Sequence, residues 1–239
     1  MKNCIIVFLL IASIHTAYAD DSAATLKNES EAGVVVTGGN TQTDTISLKE
    51  KTAYEWNKNI VKFGANFLTT SNAGNQQAYQ WGLGLRYERE LSDQIGIFLG
   101  QAVESNKYQG ILQRYNSDLG GRYTFVKTEQ FKWASELGYR FTRENYTLDG
   151  FKNINFLRLY NELERMFTKT FTIKWWIEFL PNITTSEAYQ LNTELSGSAA
   201  ISEMFSMKAG YLIKYNNQPP VGAIYKTDSM FTTALVAKF

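Results

Sequence analysis

The sequence holds 239 residues with 24 lysines and arginines against 23 aspartates and glutamates, 14% aromatic residues, three prolines, one cysteine and one histidine. Near-neutral charge argues against nucleic acid or an anionic lipid surface as the partner, and one cysteine cannot form an internal disulfide. Beyond the first residues no apolar run approaches the roughly 20 residues of a helical membrane span, so the side-chain pattern must separate a soluble fold from a membrane one.

In chain order, Lys2 precedes an apolar run from Cys4 to Ser13 and then Ala17-Tyr18-Ala19, the pattern of a secretory signal over residues 1–19 with cleavage before Asp20. Its removal takes Lys2, one of the 24 basic residues, and balances the remaining charge. It also takes Cys4 and His15, so the exported chain has neither thiol nor imidazole. Residues 20–28 are small and polar and read as a short periplasmic lead, which leaves 29–239 for the folded domain.

The first strand is expected over Glu31 to Gly38, with a turn at Gly39-Asn40-Thr41-Gln42, and the second over Thr43 to Trp56. In the second, Ile46, Leu48, Thr52, Tyr54 and Trp56 share one face and Thr45, Ser47, Lys49, Lys51 and Glu55 the other. Glu50 breaks the apolar face. After the break at Asn57-Lys58, Val61, Phe63, Ala65 and Phe67 alternate with polar or small residues. The clearest row is Tyr79, Trp81, Leu83, Leu85 and Tyr87 against Gln80, Gly82, Gly84, Arg86 and Glu88, an apolar band with aromatics at both ends. Leu91-Ser92-Asp93 turns the chain into Ile95, Ile97, Leu99 and Val103.

The same alternation follows in the rows from Tyr115, Phe131, Leu157, Phe171, Tyr189 and Phe205, where Asn161 is a second misfit. The closing strand, Ser229 to Phe239, sets Phe231, Thr233, Leu235, Ala237 and Phe239 on one face and ends on an aromatic. Phe231, Leu235 and Phe239 resemble the terminal signal by which outer-membrane barrels are assembled. Twelve strands emerge, joined by short connections near 57, 91, 127, 167 and 202 and longer ones near 40, 72, 108, 148, 184 and 220. An even number of strands with both ends beside the short turns predicts an all-β fold, a transmembrane antiparallel up-and-down β-barrel in the outer membrane of a Gram-negative bacterium. A soluble sandwich or lipocalin-like barrel would turn the apolar rows inward. The signal segment and the terminal aromatic favour rows that face lipid.

Several phrases carry a family resemblance. They are Thr37-Gly38-Gly39-Asn40-Thr41-Gln42-Thr43-Asp44-Thr45 with Tyr54-Glu55-Trp56, the run from Arg86 to Asp93, Gln109-Gly110-Ile111 through Leu119-Gly120-Gly121-Arg122-Tyr123, and Tyr215-Asn216-Asn217-Gln218-Pro219-Pro220 with Lys226-Thr227-Asp228. Over residues 30 to 239 the chain resembles the salt-induced outer-membrane proteins, a domain-of-unknown-function family of outer-membrane β-barrels. That resemblance implies an envelope barrel of unassigned biochemical role and supplies no catalytic residues. The segment from Tyr146 to Thr185 matches only in its strand pattern.

Twelve strands spaced about 4.8 Å apart and tilted about 40° close at a backbone radius of roughly 12 Å, which inward side chains of roughly 5 to 7 Å largely fill. The inward rows supply Arg86, Glu88, Arg114, Asp118, Arg122, Lys132, Glu136, Arg140, Arg158, Glu162, Glu164, Lys174 and Glu178 as lumen candidates. Mixed signs on neighbouring strands favour cross-strand pairing and a filled interior over a single-sign field, with a narrow conduit for small polar solutes or ions as the alternative. An enzyme is not expected: without histidine the usual base near neutrality is missing, and Glu162 and Glu164, two apart on one face, are the nearest thing to a carboxylate pair. No cofactor is expected, and no loop shows metal-ligand spacing. Loops at 143–153 and 216–225, with Tyr146, Phe151, Val221 and Tyr225, are the surface for a third reading, receptor or phage contact. The expected partners are outer-membrane lipid, periplasmic chaperones and the barrel-assembly machinery, with small solutes or ions for the conduit.

Overall fold

The structure, a computed structural model, describes residues 24–36, 43–72, 75–107, 110–146, 150–185, 187–219 and 225–239. The expected signal segment, including Cys4 and His15, lies outside the described residues, as do residues 20–23 of the expected lead.

Twelve antiparallel strands form one closed barrel: β1 (Thr25–Val36), β2 (Thr43–Trp56), β3 (Asn59–Asn72), β4 (Asn75–Glu90), β5 (Ile95–Asn106), β6 (Ile111–Lys127), β7 (Phe131–Tyr146), β8 (Gly150–Thr168), β9 (Phe171–Pro181), β10 (Tyr189–Ala200), β11 (Phe205–Asn216) and β12 (Thr227–Lys238). Each strand pairs with its chain neighbours, and β1 pairs with β12 to remove the last free edge. Side chains of period two then divide between two surroundings. Leu83, Leu85, Ile97, Leu99, Leu119, Leu137 and Leu195 lie exposed on the outer wall, with Tyr87, Tyr123, Tyr139 and Trp175 among them. An apolar band of this extent around a closed sheet is matched to a bilayer, so the chain is a transmembrane β-barrel.

Several boundaries differ from the sequence expectation. β1 starts at Thr25, six residues before Glu31, and so takes in part of the expected lead. Its early polar residues find partners on β2, where Lys27 donates to Glu55 at 2.8 Å. Polar residues extend a strand readily when one face lines a polar lumen. The expected loop over 143–153 is mostly strand: β7 continues to Tyr146 and β8 begins at Gly150, with Asn145 opposite Phe151. Strands that rise beyond the hydrocarbon band carry polar groups on both faces, so alternation fades while the backbone ladder continues.

The misfits also resolve. Glu50 does face outward, and Asn28 Nδ2 (2.5 Å), Ser30 Oγ (2.6 Å) and Thr52 Oγ1 (3.0 Å) donate to its carboxylate. Asn161 faces outward as well and donates to Ser135 Oγ at 2.6 Å. Each polar intruder therefore brings its own hydrogen-bonding partner, as a non-aqueous surface demands.

Candidate functional site

The strands enclose a continuous polar interior, whose charges fall into three tiers between the two ends. At the end where β1 begins and β12 stops, lysines dominate. Lys62 pairs with Glu88 at 2.7 Å, Lys132 with Glu164 at 2.7 Å, Lys174 with Glu162 at 2.8 Å and Lys51 with both Glu29 and Glu31 at 2.9 and 3.0 Å. Glu162 also accepts from the Tyr160 hydroxyl at 2.8 Å. Glu162 and Glu164 are thus held by separate lysines.

Arginines make the middle tier. Glu136, 5% exposed, lies among three guanidinium groups: Arg86 at 2.6 Å, Arg158 at 2.6 Å and Arg122 at 3.1 Å. Arg86 also reaches Glu88 at 2.6 Å, and Arg158 reaches Glu178 at 2.7 Å. Glu178 continues the belt to Arg140 at 3.2 Å, and Arg140 closes a two-point fork on Asp118 at 2.6 and 2.7 Å. These residues stand on β4, β6, β7, β8 and β9. Arginine suits the position because its planar fork spans two carboxylates from adjacent strands and fixes their spacing.

The belt rests on a residue that the charge pattern hides. Phe98 of β5 is 2% exposed, with the Arg86 guanidinium 3.8 Å above its ring centroid and that of Arg158 at 5.7 Å. Glycine makes the room. A Cβ on Gly120 would stand 2.7 Å from the Phe98 ring and 2.5 Å from the Leu137 carbonyl oxygen, and one on Gly138 would stand 3.2 Å from the ring. The aromatic ring therefore lies over two facing glycines, and the guanidinium groups stack on it.

The third tier opens toward the opposite end, where β1 stops and β12 begins. Arg114 pairs with Glu144, which is 1% exposed, and with Glu104 at 2.7 Å; Tyr146 donates to the same Glu144 carboxylate. Above the belt lies a cavity of about 480 Å³, whose lining includes Arg114, Asn116, Arg140, Phe156, Trp176, Glu178, Asn192, Lys214, Tyr215 and Tyr225. Arg140 and Glu178 belong to both the belt and the cavity floor.

All thirteen sequence-derived lumen residues thus stand on the inner wall. Arg86, Glu88, Asp118, Arg122, Glu136, Arg140, Arg158 and Glu178 join in one network, to which Glu162 attaches Lys174 and lies 3.9 Å from Arg122. Arg114 heads a separate cluster, and Lys132 with Glu164 an isolated pair. The sequence reading did not name as lumen residues Glu31, Lys51, Lys62, Glu104, Glu144 and Lys208, of which Glu144 fell in an expected loop, nor Phe98, Phe156 and Trp176, because the lumen candidates were drawn from charged side chains alone. Strict parity with Gly96 and Gly100 would have turned Phe98 inward. Phe231, Leu235 and Phe239 face outward and exposed on β12 and at the chain end.

Comparison with known proteins fits this geometry. Residues 30–239 match the family model described as a protein of unknown function, DUF481. The chain belongs to that family. Within reach of it stands an uncharacterized protein, YdiY of Escherichia coli, 21% identical over 95% of this chain and 92% of its own length. Among solved structures, the NanC porin superposes with a TM-score of 0.50 at 11% identity, covering 90% of this chain and 98% of the porin. An outer membrane channel from Pseudomonas putida F1 gives 0.51 at 10% identity, over 95% of this chain and 98% of the channel. At such identities the likeness is one of fold, and this family member shares the barrel architecture of outer-membrane channels.

Proposed function

We propose that this protein is a non-catalytic outer-membrane barrel whose lumen is closed at rest by the arginine–carboxylate belt and whose closure responds to ionic strength. The observation that carries this reading is the sharing of Glu136 among Arg86, Arg122 and Arg158, joined through Glu178 to Arg140 and Asp118. Such a chain spans several strands and leaves no single-sign path for an ion. Its flanks differ from its centre. The lysines of the Lys62–Glu88 and Lys132–Glu164 pairs are 39% and 57% exposed, so salt screens them, whereas Glu136 and Arg158 are shielded from it. Salt would thus loosen one end of the lumen before the belt. The lysine partners of Glu162 and Glu164 support the non-catalytic reading, since each carboxylate is committed to an ion pair.

The test is conductance of the folded chain in a planar bilayer at low and high salt. The expected result is silence at low salt, rare openings at high salt, and steady openings in Glu136→Gln at both. Steady wild-type conductance at low salt that is indifferent to Glu136→Gln would overturn the closed reading. It would favour the second one, a narrow passive pore, for which the outer cavity of about 480 Å³ is the specific support.

A further inference from the structure

The arginines divide by the face of the wall on which they stand. Arg86, Arg114, Arg122, Arg140 and Arg158 point into the lumen, and each lies within ion-pair distance of a carboxylate. Arg89, Arg143 and Arg165 share the outward parity of Tyr87, Tyr139 and Leu159, and among the described residues no carboxylate pairs with any of them. They rest on neutral groups instead. Arg89 donates to Asn59 Oδ1 at 3.0 Å, and the guanidinium groups of Arg143 and Arg165 lie 4.5 and 5.0 Å from the ring centroids of Phe151 and Phe167. Arg89 and Arg165 stand at the end of the short connections such as Asn57-Lys58 and Lys169-Thr170. Arg143 stands at the end of the long ones, 37–42 and 217–226, which is the extracellular end of such a barrel.

The height of Arg143 matters. It follows Trp133 on β7 by ten residues, and the Trp133 ring stacks on Phe125 in the girdle at the other end. At about 3.4 Å per residue and a tilt of about 40° that stretch rises roughly 26 Å, the height of an apolar band of about 25 Å. Arg143 therefore stands where hydrocarbon gives way to headgroups. The register sets Tyr115 and Asn153 opposite it, and Asn145 opposite both Gln113 and Phe151, so a row of amides shares its outer face. Phe151 is 59% exposed, which leaves the guanidinium stacked on it an open side. Just past β5, the Lys107 ammonium lies 4.7 Å from the ring centroid of outward-facing Tyr79, also without a carboxylate partner among the described residues. Asn106 is level with Ile111 and hence with Tyr146, so Lys107 stands further out than Arg143, with β6 between them.

We infer that this outer rim of β5 to β8 is a binding site for a phosphorylated glycolipid of the outer leaflet, with Arg143 as the phosphate ligand and Lys107 as a second cation further out. Charge complementarity carries the assignment: the rim offers cations that no carboxylate neutralises at the level where a bilayer concentrates phosphate. A guanidinium fork meets a phosphate through two parallel hydrogen bonds, and at the edge of a low-dielectric phase that contact is stronger than in water. Gln113, Asn145 and Asn153 supply donors and acceptors for sugar hydroxyls, which a plain glycerophospholipid would leave unused. The site lies on the outer wall and holds whether the lumen is closed or open.

Native mass spectrometry of the full barrel, purified in detergent, tests it by titration with bisphosphorylated lipid A. Dephosphorylated lipid A, phosphatidylglycerol and inorganic phosphate are the counterparts. One lipid A is expected to be retained, at least about tenfold more tightly than its dephosphorylated form or phosphatidylglycerol, and inorganic phosphate should not displace it. Arg143→Gln should weaken retention about tenfold or more, the loss expected for a charge-assisted hydrogen bond, while Arg143→Lys keeps part of it and Lys107→Gln loses less. Arg89→Gln and Arg165→Gln make the same change of charge at the other end of the outer wall and should leave retention unaltered. Folding of each variant is checked by its heat-dependent mobility on a gel. Unchanged retention in folded Arg143→Gln, or an equal loss in Arg89→Gln and Arg165→Gln, would overturn the site. Equal retention of phosphatidylglycerol or of dephosphorylated lipid A, or displacement by inorganic phosphate, would overturn the phosphorylated glycolipid as its occupant. Conductance is a separate reading, so failure here and failure of the closed-lumen proposal are told apart.

Discussion

The two halves of the barrel wall solve the same problem with different chemistry. From β4 to β9 the outer face is a row of large apolar and aromatic side chains broken by small hydrogen-bonded polar pairs such as Asn161 with Ser135 and Ser117 with Gln101, and the inner face is an arginine network stacked on Phe98. From β10 through the seam to β3, Glu50 interrupts the outer face, and inside Glu31 is shared by the flexible stems of Lys51 and Lys208 at 3.0 and 2.7 Å. The seam itself is short. Its ladder joins β1 and β12 at four positions, Glu29 opposite Lys238 through Ala32 opposite Leu235, with reciprocal backbone bonds between Asn28 and Phe239 at 3.0 Å. Rigid planar forks hold the first half in one arrangement, and point charges on long stems leave the second half adaptable.

The largest effect should come from removing the centre of the rigid half. Glu136→Ala strands three guanidinium groups and is expected to cost about 3–5 kcal/mol in urea unfolding from lipid vesicles. Glu31→Ala should cost less than roughly half of that, because the 56% exposed side chain of Lys51 can turn to water. Equal losses would erase the distinction between the halves. Next comes the lipid face: Leu83→Arg or Trp175→Arg should cost about 2–4 kcal/mol near the bilayer midplane, against a milder loss for inward-facing Gly84→Arg. Similar tolerance at all three would reject the assigned facing.

Smaller still, Gly120→Ala should cost about 1–3 kcal/mol by forcing Phe98 and the Leu137 carbonyl away. Its neighbour Gly121, whose added Cβ would meet nothing nearer than 3.8 Å, should accept alanine within about 0.5 kcal/mol. If both substitutions are silent in the same unfolding measurement, Phe98 does not carry the belt. Least affected should be Glu50→Leu, expected within about 1 kcal/mol, since Asn28 keeps its bond to Thr52 at 3.1 Å and lipid gains an apolar contact.

Much of this architecture is legible in the order of residues. Alternation at Tyr79 through Glu88 placed Leu83 and Leu85 against lipid and Arg86 and Glu88 inside, because one face of such a strand must be apolar and the other wet. β2 was read at its observed limits, Thr43 to Trp56, since girdle aromatics and a short turn mark that end. The ends of β1, β7 and β8 were not, because outside the hydrocarbon band no apolar face is required and the alternation that reports a strand disappears. Phe98 escaped for the opposite reason: it is an apolar residue turned to a polar interior, tolerated only where Gly120 and Gly138 open a space across the ladder.

What the sequence alone determined is therefore the period, the facing and the closure of the sheet, all consequences of a backbone that must be fully hydrogen-bonded and half apolar in lipid. Which inward charges meet was decided only by the tertiary structure. Arg86 and Glu136 stand fifty residues apart in the chain and on strands that are not neighbours, and barrel curvature and strand stagger bring them to 2.6 Å. The same closure seats Arg158 on the Glu136 carboxylate beside Arg86, because pairing inside a barrel depends on height and angle around the wall, and neither quantity is written in the order of residues.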